Sequence, residues 1–148
     1  PIRIVLSDDY LYFTEYAYTR LSKIRTTGGE VTVLAQGMKY PCGLDVSDRY
    51  VFVAERDGGE ITRVGIDGGE VTTLATGLQG PIDVAVWAGY VYFTEQYGGK
   101  LSKVPTDGGQ VVELLIGLDQ PFGIAISDGH LYVAESGAGA IKRIAIKS

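Results

Sequence analysis

Residues 81–95 read PIDVAVWAGYVYFTE, and a related phrase opens at each of four prolines that stand forty residues apart in the 148-residue chain. The prolines and the glutamates that end the phrases are Pro1 and Glu15, Pro41 and Glu55, Pro81 and Glu95, and Pro121 and Glu135. The copies align without insertion or deletion. A fixed period of this length is the signature of a repeat protein. The sequence therefore predicts one repeat domain with units at about 1–40, 41–80, 81–120 and 121–148.

Each complete unit reads as four β-strands, which we call strands A to D. Strand A is a short apolar run, strand B is dense in Tyr, Phe, Val and Leu, and strands C and D mix apolar with polar residues. The predicted ranges are 2–6, 44–46, 84–86 and 124–126 for strand A; 10–15, 50–55, 90–95 and 130–135 for strand B; 20–25, 60–65, 100–105 and 140–146 for strand C; and 30–35, 70–75 and 110–115 for strand D. Glycine pairs between strands C and D suit tight hairpins with positive φ. No helical period of 3.6 residues appears, so the chain is predicted to be all-β.

Helix-free repeats of about forty residues and four antiparallel strands predict a β-propeller of four blades, the fourth without its outer strand. The residues that carry a closer likeness are LYVAE at 131–135, YFTE at 92–95 and GKL at 99–101. They resemble the blades of the superfamily that includes NHL repeats, YWTD repeats, gluconolactonase-like proteins and streptogramin B lyases. The resemblance implies a ring of six to eight blades. The tryptophan–aspartate dipeptide of WD40 repeats is absent.

A second period of eighty residues lies beneath the first. Copies one and three share FTE and LSK, at 13–15 and 21–23 and again at 93–95 and 101–103. Copies two and four instead share VAE, at 53–55 and 133–135. The pattern indicates that a two-blade unit was duplicated, which favours an even number of blades.

Composition excludes several classes of partner. The net charge is −5 and the basic residues are scattered singly, so no nucleic-acid partner is expected. No apolar run approaches the about 18 residues of a membrane-spanning helix. Cys42 is the only cysteine, which rules out an internal disulfide and suits a buried, inert thiol.

The four repeated glutamates allow two interpretations. The favoured one is structural: Glu15, Glu55, Glu95 and Glu135 each end strand B by accepting backbone N–H groups of a neighbouring loop or by pairing with a nearby Arg or Lys. The alternative is a ring of carboxylates around a channel that holds calcium, because hard cations prefer oxygen ligands. We therefore expect no cofactor, with calcium as the alternative.

Catalysis has little visible support. His130 is the only histidine, and tyrosines fill its position in the other copies, which indicates aromatic packing. The lyases in the superfamily use a histidine and glutamate apparatus, for which a second histidine is missing. The lactonase metal site relies on asparagines beside acids, and this chain contains no asparagine. A non-catalytic protein is therefore favoured, and a propeller enzyme of the lyase or lactonase type is the alternative.

A candidate binding surface emerges when the copies are compared with one another. In an up-and-down blade the B–C and D–A loops share one face, and there the copies diverge while the strands stay nearly constant. Exposed tyrosines with Arg and Asp between them suit a protein or a carbohydrate partner. The alternative is that the tyrosines cap loops against neighbouring blades. The candidate residues are Tyr16, Tyr18, Tyr40, Arg56, Asp57, Asp83, Gln96, Tyr97 and Asp119.

The fourth unit ends after strand C, and the sequence opens directly on the first repeat. We therefore expect either a small four-bladed ring with one three-stranded blade, or assembly with other copies or further sequence into a larger even ring or a filament. Assembly, and hence a homo-oligomer, is favoured. Residues 141–147 would form an open edge, where Lys142, Arg143 and Lys147 discourage indiscriminate pairing. The resemblance, together with a start that lacks methionine, predicts an extracellular or cell-surface location.

Overall fold

The computed structural model describes residues 3–146, which fold into fifteen β-strands and no helix. Within this range there is thus no helix that could cross a membrane. Blade 1 contains β1 (Ile4–Ser7), β2 (Tyr10–Glu15), β3 (Arg20–Arg25) and β4 (Thr32–Ala35). Blade 2 contains β5 (Pro41–Ser47), β6 (Tyr50–Glu55), β7 (Glu60–Gly65) and β8 (Gly68–Ala75). Blade 3 contains β9 (Pro81–Trp87), β10 (Tyr90–Glu95), β11 (Lys100–Pro105) and β12 (Val112–Leu115). Blade 4 contains β13 (Pro121–Ser127), β14 (His130–Glu135) and β15 (Ala140–Ala145).

Each blade is an antiparallel sheet whose strands pair in chain order, and the four sheets form a four-bladed β-propeller with a three-stranded fourth blade. The predicted fold is therefore confirmed. The described residues do not include Pro1, Ile2, Lys147 and Ser148. The start of the first predicted strand A and the end of the predicted open edge therefore lie outside them.

Some strand boundaries differ from the prediction. Strand A of blade 2 starts at Pro41 instead of the predicted Leu44. A register shift in its pairing with strand B, between Pro41 and Leu44, interrupts the apolar pattern at the start of the strand. In the same blade strand D starts early, because Gly65 pairs with Gly68. Blades 1 and 3 carry Arg25 and Pro105 at the position of Gly65, and in blade 1 strand D starts only at Thr32. In blade 3 strand D starts only at Val112.

The blades stack through one repeated contact between apolar faces. We call the side chains that a blade presents to the following blade its trailing face, and those presented to the preceding blade its leading face. Between blades 2 and 3 the buried cluster contains Phe52, Ala54, Ile61, Leu74 and Ala75 from the trailing face of blade 2 and Val84, Val91, Phe93 and Val104 from the leading face of blade 3. Equivalent clusters join blades 1 and 2 and blades 3 and 4. Because fully burying one such aliphatic or aromatic side chain contributes about 1.5–3 kcal/mol, these contacts dominate the stability.

Side-chain hydrogen bonds reinforce the stacking. The Thr14 hydroxyl in blade 1 donates to the Cys42 carbonyl oxygen in blade 2 over 2.7 Å, and Thr94 does the same for Phe122 in blade 4. In blade 2 the equivalent residue is Ala54, and there Asp45 accepts the Val86 N–H of blade 3 over 2.8 Å. Cys42 itself is buried, as expected, and burial raises the pKa of its thiol to about 11.

Ion pairs link the outer strands of neighbouring blades. The Lys23 ammonium lies 3.1 Å from the Asp67 carboxylate, and the Arg63 guanidinium lies 3.1 Å from that of Asp107. Both carboxylates sit in exposed hairpins between strands C and D, so solvent weakens the attraction. These pairs align adjacent blades rather than hold them together.

The first and last blades keep one face uncovered. Blades 1 and 4 share no extensive contact within residues 3–146. Ile4 of blade 1 is 62% exposed and Ile141 of blade 4 is 70% exposed, whereas their counterparts Leu44 and Leu101 are 4% and 0% exposed. The four blades therefore end in two apolar faces that no part of the described chain covers.

The turn between β9 and β10 predicts a stabilising substitution. Ala88 has φ +50°, a left-handed conformation in which its counterpart in blade 4 is Asp128. Since that conformation costs an alanine more than an aspartate, Ala88→Asp should stabilise the protein by on the order of 1 kcal/mol in urea unfolding. The reverse change, Asp128→Ala, should destabilise it. Equal stability of Ala88→Asp and the parent would contradict this interpretation of the turn.

Candidate functional site

The B–C and D–A loops are joined by backbone hydrogen bonds and share one face, as predicted; we call it the loop face. Between blades 1 and 2, the Arg56 N–H donates to the Tyr40 carbonyl over 3.0 Å and the Asp57 N–H to the Lys39 carbonyl over 3.1 Å. The same pairing recurs between blades 2 and 3 and between blades 3 and 4. Each pair of loops is thus held as one unit.

Buried glutamates fix these loops from below. Glu55 accepts the Lys39 N–H over 2.9 Å and the Thr62 hydroxyl over 2.8 Å. Glu95 and Glu135 likewise accept the N–H groups of Gln79 and Asp119, each over 2.9 Å. The hydrogen bond from Asp119 holds the pKa of Glu135 below its usual range. These are the contacts that the structural interpretation of the glutamates expects.

Glu15 is bonded differently from the other three glutamates. Glu15 accepts from Arg20 Nε over 2.8 Å and from the Ser22 hydroxyl over 3.0 Å. The Arg20 hydrogen bond holds the pKa of Glu15 below its usual range. From residue 3 to residue 146, no three His, Cys, Asp or Glu side chains are grouped so that they could hold a metal ion. The calcium alternative stays a prediction.

Three candidate residues form a stack across the boundary between blades 1 and 2. The rings of Tyr16 and Tyr40 lie with centroids 5.0 Å apart, and the Arg56 guanidinium lies 3.6 Å from the centroid of Tyr40. Arg56 Nε also donates to the Asp57 carboxylate over 3.1 Å. Tyr16 is exposed and Tyr40 is half-buried. The stack therefore presents aromatic rings to solvent beside a charged pair.

A groove of about 550 Å³ continues from this stack towards blade 3. It is lined by Arg56, Asp57, Leu78, Gln79, Gly80 and Tyr97. Gly80 has φ +72°, and a Cβ at this position would collide with the Tyr97 ring. The ring therefore lies directly on the backbone of the D–A loop while 67% of Tyr97 stays exposed. Only glycine at position 80 permits this arrangement.

The structure does not bring every candidate residue to this groove. Exposed Tyr18 contacts Arg20, whose guanidinium lies 5.0 Å from the centroid of the Tyr18 ring. Gln96 bonds through its backbone to Gly80, and Asp119 lies at the boundary between blades 3 and 4. Asp83 is buried and does not line this groove; it lines a separate concavity between the A strands.

A second concavity lies between the A strands of the four blades. It has a volume of about 370 Å³ and is lined in part by Arg3, Asp45, Asp83 and Trp87. Asp83 accepts the N–H groups of Val84 and Ile124 over 3.0 Å each and lies 3.4 Å from the Arg3 guanidinium. These contacts favour the charged carboxylate, but burial outweighs them and raises the pKa of Asp83.

Sequence reasoning missed Gly80 as a groove residue and Arg3 as a partner of Asp83. A signal existed for both. Gly80 is a glycine where the equivalent residues of the other D–A loops are Tyr40 and Gln120. The positions equivalent to Arg3 alternate between charged residues and glycine, as Arg3, Gly43, Asp83 and Gly123.

No protein-family model matches the chain, and no curated protein sequence matches it. Several solved structures match its fold. A chain of a nidogen–laminin complex is 19% identical, with a TM-score of 0.86 over 93% of this chain and 57% of that one. Virginiamycin B lyase from Staphylococcus aureus is 21% identical, with a TM-score of 0.80 over 98% and 55%. A gluconolactonase from Xanthomonas campestris is 23% identical, with a TM-score of 0.79 over 94% and 55%.

This chain spans a little over half the length of each of these proteins. At such identities the likeness establishes the fold. That fold is the β-propeller, as the pairing of the strands within the four sheets also shows.

The buried glutamates predict a loss of stability on neutralisation. Glu55→Gln replaces one of the two carboxylate oxygens with an NH₂ group, which donates and does not accept. The Lys39 N–H and the Thr62 hydroxyl would then no longer each have an acceptor oxygen. We expect a loss of about 1–3 kcal/mol in the free energy of unfolding. Glu70→Gln, at an exposed position in strand D, is the matched control and should change little. If both variants were equally stable, Glu55 would not have the structural role described above.

Glu15 predicts a dependence on pH. Because its folded-state pKa lies below the ordinary value of 4.5, the carboxylate stabilises the fold fully above that pH. The contribution then disappears as the pH falls through the folded-state pKa. The stability difference between the parent and Glu15→Gln, measured by urea unfolding, should be largest near neutrality and shrink below pH 4.5. A difference that stays constant with pH would show that the carboxylate charge plays no part.

Proposed function

We propose that this chain is a non-catalytic propeller scaffold that binds a protein or carbohydrate partner through its loop face. The observation that carries the proposal is the stack of Tyr16, Tyr40 and Arg56, which runs into the groove beneath Tyr97. Aromatic rings and arginine are the side chains that most often dominate the energy of protein interfaces.

Preorganisation supports binding at this surface. Backbone hydrogen bonds join the loops to one another, and buried Glu55 and Glu95 hold the D–A loops in place. The Arg56 side chain is fixed between the Tyr40 ring and the Asp57 carboxylate. Since little conformational freedom remains to be lost on association, more of the contact energy appears as affinity.

A protein partner is favoured over a carbohydrate. The exposed aromatic residues extend from Tyr16 in blade 1 to Tyr97 in blade 3, which is a wider surface than the groove itself. The nidogen–laminin neighbour supports the same choice, because its structure is a complex between proteins. The carbohydrate alternative would use the exposed Tyr97 ring for stacking, with Asp57 and Gln79 as hydrogen-bonding partners for hydroxyl groups.

The enzyme alternative has weaker support. Two neighbours are a lyase and a gluconolactonase, but at 21% and 23% identity they indicate the fold only. Among the described residues that line the groove, Asp57 is the sole carboxylate. A pair of acid and base groups is therefore not assembled there.

Binding assays with a loop-face variant test the proposal. We would screen the parent against a printed glycan array and a display library of folded protein domains, and measure the affinity of any ligand found. Removing both exposed rings in the variant Tyr16→Ala with Tyr97→Ala should weaken that affinity at least tenfold, about 1.4 kcal/mol.

Tyr50→Ala provides the matched control. Tyr50 is also a partly exposed tyrosine, but it begins β6 at the opposite end of strand B from the loop face. Its variant should bind like the parent. A ligand that the double variant binds as tightly as the parent would place the binding surface elsewhere.

A further inference from the structure

The uncovered faces of blades 1 and 4 have the composition of an interior blade boundary. The leading face of blade 1 consists of Ile4, Leu11, Phe13 and Ile24, the counterparts of Val84, Val91, Phe93 and Val104 in blade 3. The trailing face of blade 4 contains Tyr132, Ala134 and Ile141, the counterparts of Phe52, Ala54 and Ile61 in blade 2. In blades 2 and 3 every one of these counterparts is at least 96% buried. Each exposed face is therefore built like one half of a blade interface.

The side chains of the two uncovered faces also complement each other in size, as those at the interior boundaries do. At the boundary between blades 2 and 3, the small Ala54 shares its cluster with the large Phe93. At the boundary between blades 1 and 2 the corresponding residues are Thr14 and Val53, and the Thr14 hydroxyl bonds to the Cys42 carbonyl.

Blade 4 carries Ala134 and blade 1 carries Phe13, so their faces repeat the combination found between blades 2 and 3. Ala134 and Phe13 would then belong to one boundary cluster, as Ala54 and Phe93 do. The eighty-residue period therefore makes an even-numbered blade the fitting neighbour of blade 1.

Polar groups at the rim follow the same correspondence. Arg63 of blade 2 donates to the Thr106 carbonyl of blade 3 over 2.8 Å. The counterpart of Arg63 in blade 4 is the exposed Arg143, and the counterpart of Thr106 in blade 1 is the exposed Thr26. A blade 1 seated on blade 4 would bring this donor and this acceptor together.

We propose that the chain pairs with a second copy of itself, with blade 4 of each copy packed on blade 1 of the other. The contact continues the stacking that already joins the four blades, and two head-to-tail contacts close one ring of eight blades. An even total agrees with the two-blade period in the sequence.

The contact between copies should be weaker than an interior boundary. Interior trailing faces also include strand D residues such as Leu74 and Ala75, whereas blade 4 has three strands within residues 3–146. Less apolar surface is therefore buried per contact, and the pair should dissociate on dilution.

Light scattering after size-exclusion chromatography tests the proposal. At tens of micromolar the parent should show twice the 15.9 kDa mass of one chain, and the mass should fall on dilution. Ile141→Glu should give a folded monomer at the same concentration, because Ile141 is 70% exposed in the single chain and its replacement leaves the core intact. Ile116→Glu is the matched control, since Ile116 is 69% exposed but belongs to none of the blade-boundary clusters, and it should still pair.

A mixing experiment makes the test specific to these two faces. Ile4→Lys should also be monomeric alone, but when it is mixed with Ile141→Glu one contact gains opposite charges and the other is that of the parent. The mixture should therefore recover the paired species. A parent that stays monomeric at every concentration, forms larger multiples, or pairs equally well as Ile141→Glu would overturn the proposal.

Discussion

The packing of one blade's trailing face on the next blade's leading face is the contact on which the rest of this structure depends. A single blade exposes apolar side chains on both sides of its sheet, so it cannot be stable alone. The residues that fill the boundary are buried nearly completely, as Leu101, Val91 and Phe93 are in blade 3. Hydrogen bonds such as that from Thr14 to the Cys42 carbonyl orient the blades, but the apolar contact supplies most of the free energy.

The same stacking creates the candidate binding surface. Once neighbouring blades are fixed, each B–C loop lies beside the D–A loop that precedes its blade, and a buried glutamate such as Glu55 ties the two together. Side chains on these loops can then differ between copies without disturbing the strands. Tyr16, Tyr40 and Arg56 at one boundary and Gly80 with Tyr97 at the next are two different solutions on one backbone framework.

The sequence predicted what repeats and missed what depends on distances between copies. Strands, turns and the three-stranded fourth blade followed from the forty-residue period, because alternation and turn residues act locally. The structure places Tyr16, Tyr40, Arg56, Asp57 and Tyr97 of the variable loops near one another, and their role in binding stays a prediction. Asp83 was grouped with these residues because it varies between copies, but the sequence did not indicate its contact with Arg3, two blades away along the chain.

Gly80 was likewise passed over, because its importance lies in the Tyr97 ring that covers it, and this ring belongs to a different loop. The early start of β8 depends on the pairing of Gly65 with Gly68, which apolar patterning does not report. Such contacts join residues whose spacing in the chain carries no periodic signal.

A double-mutant cycle across the boundary between blades 2 and 3 tests most directly whether matched side-chain sizes hold the blades together. Ala54→Thr alone should destabilise the protein by about 1–3 kcal/mol through overpacking, and Phe93→Val alone should destabilise it by leaving a cavity. Combined, the two changes reproduce the pair Thr14 and Val53 of the preceding boundary. The account predicts that the double variant loses less stability than the two single losses combined, with a coupling of about 0.5–3 kcal/mol in urea unfolding. Losses that simply add would contradict it.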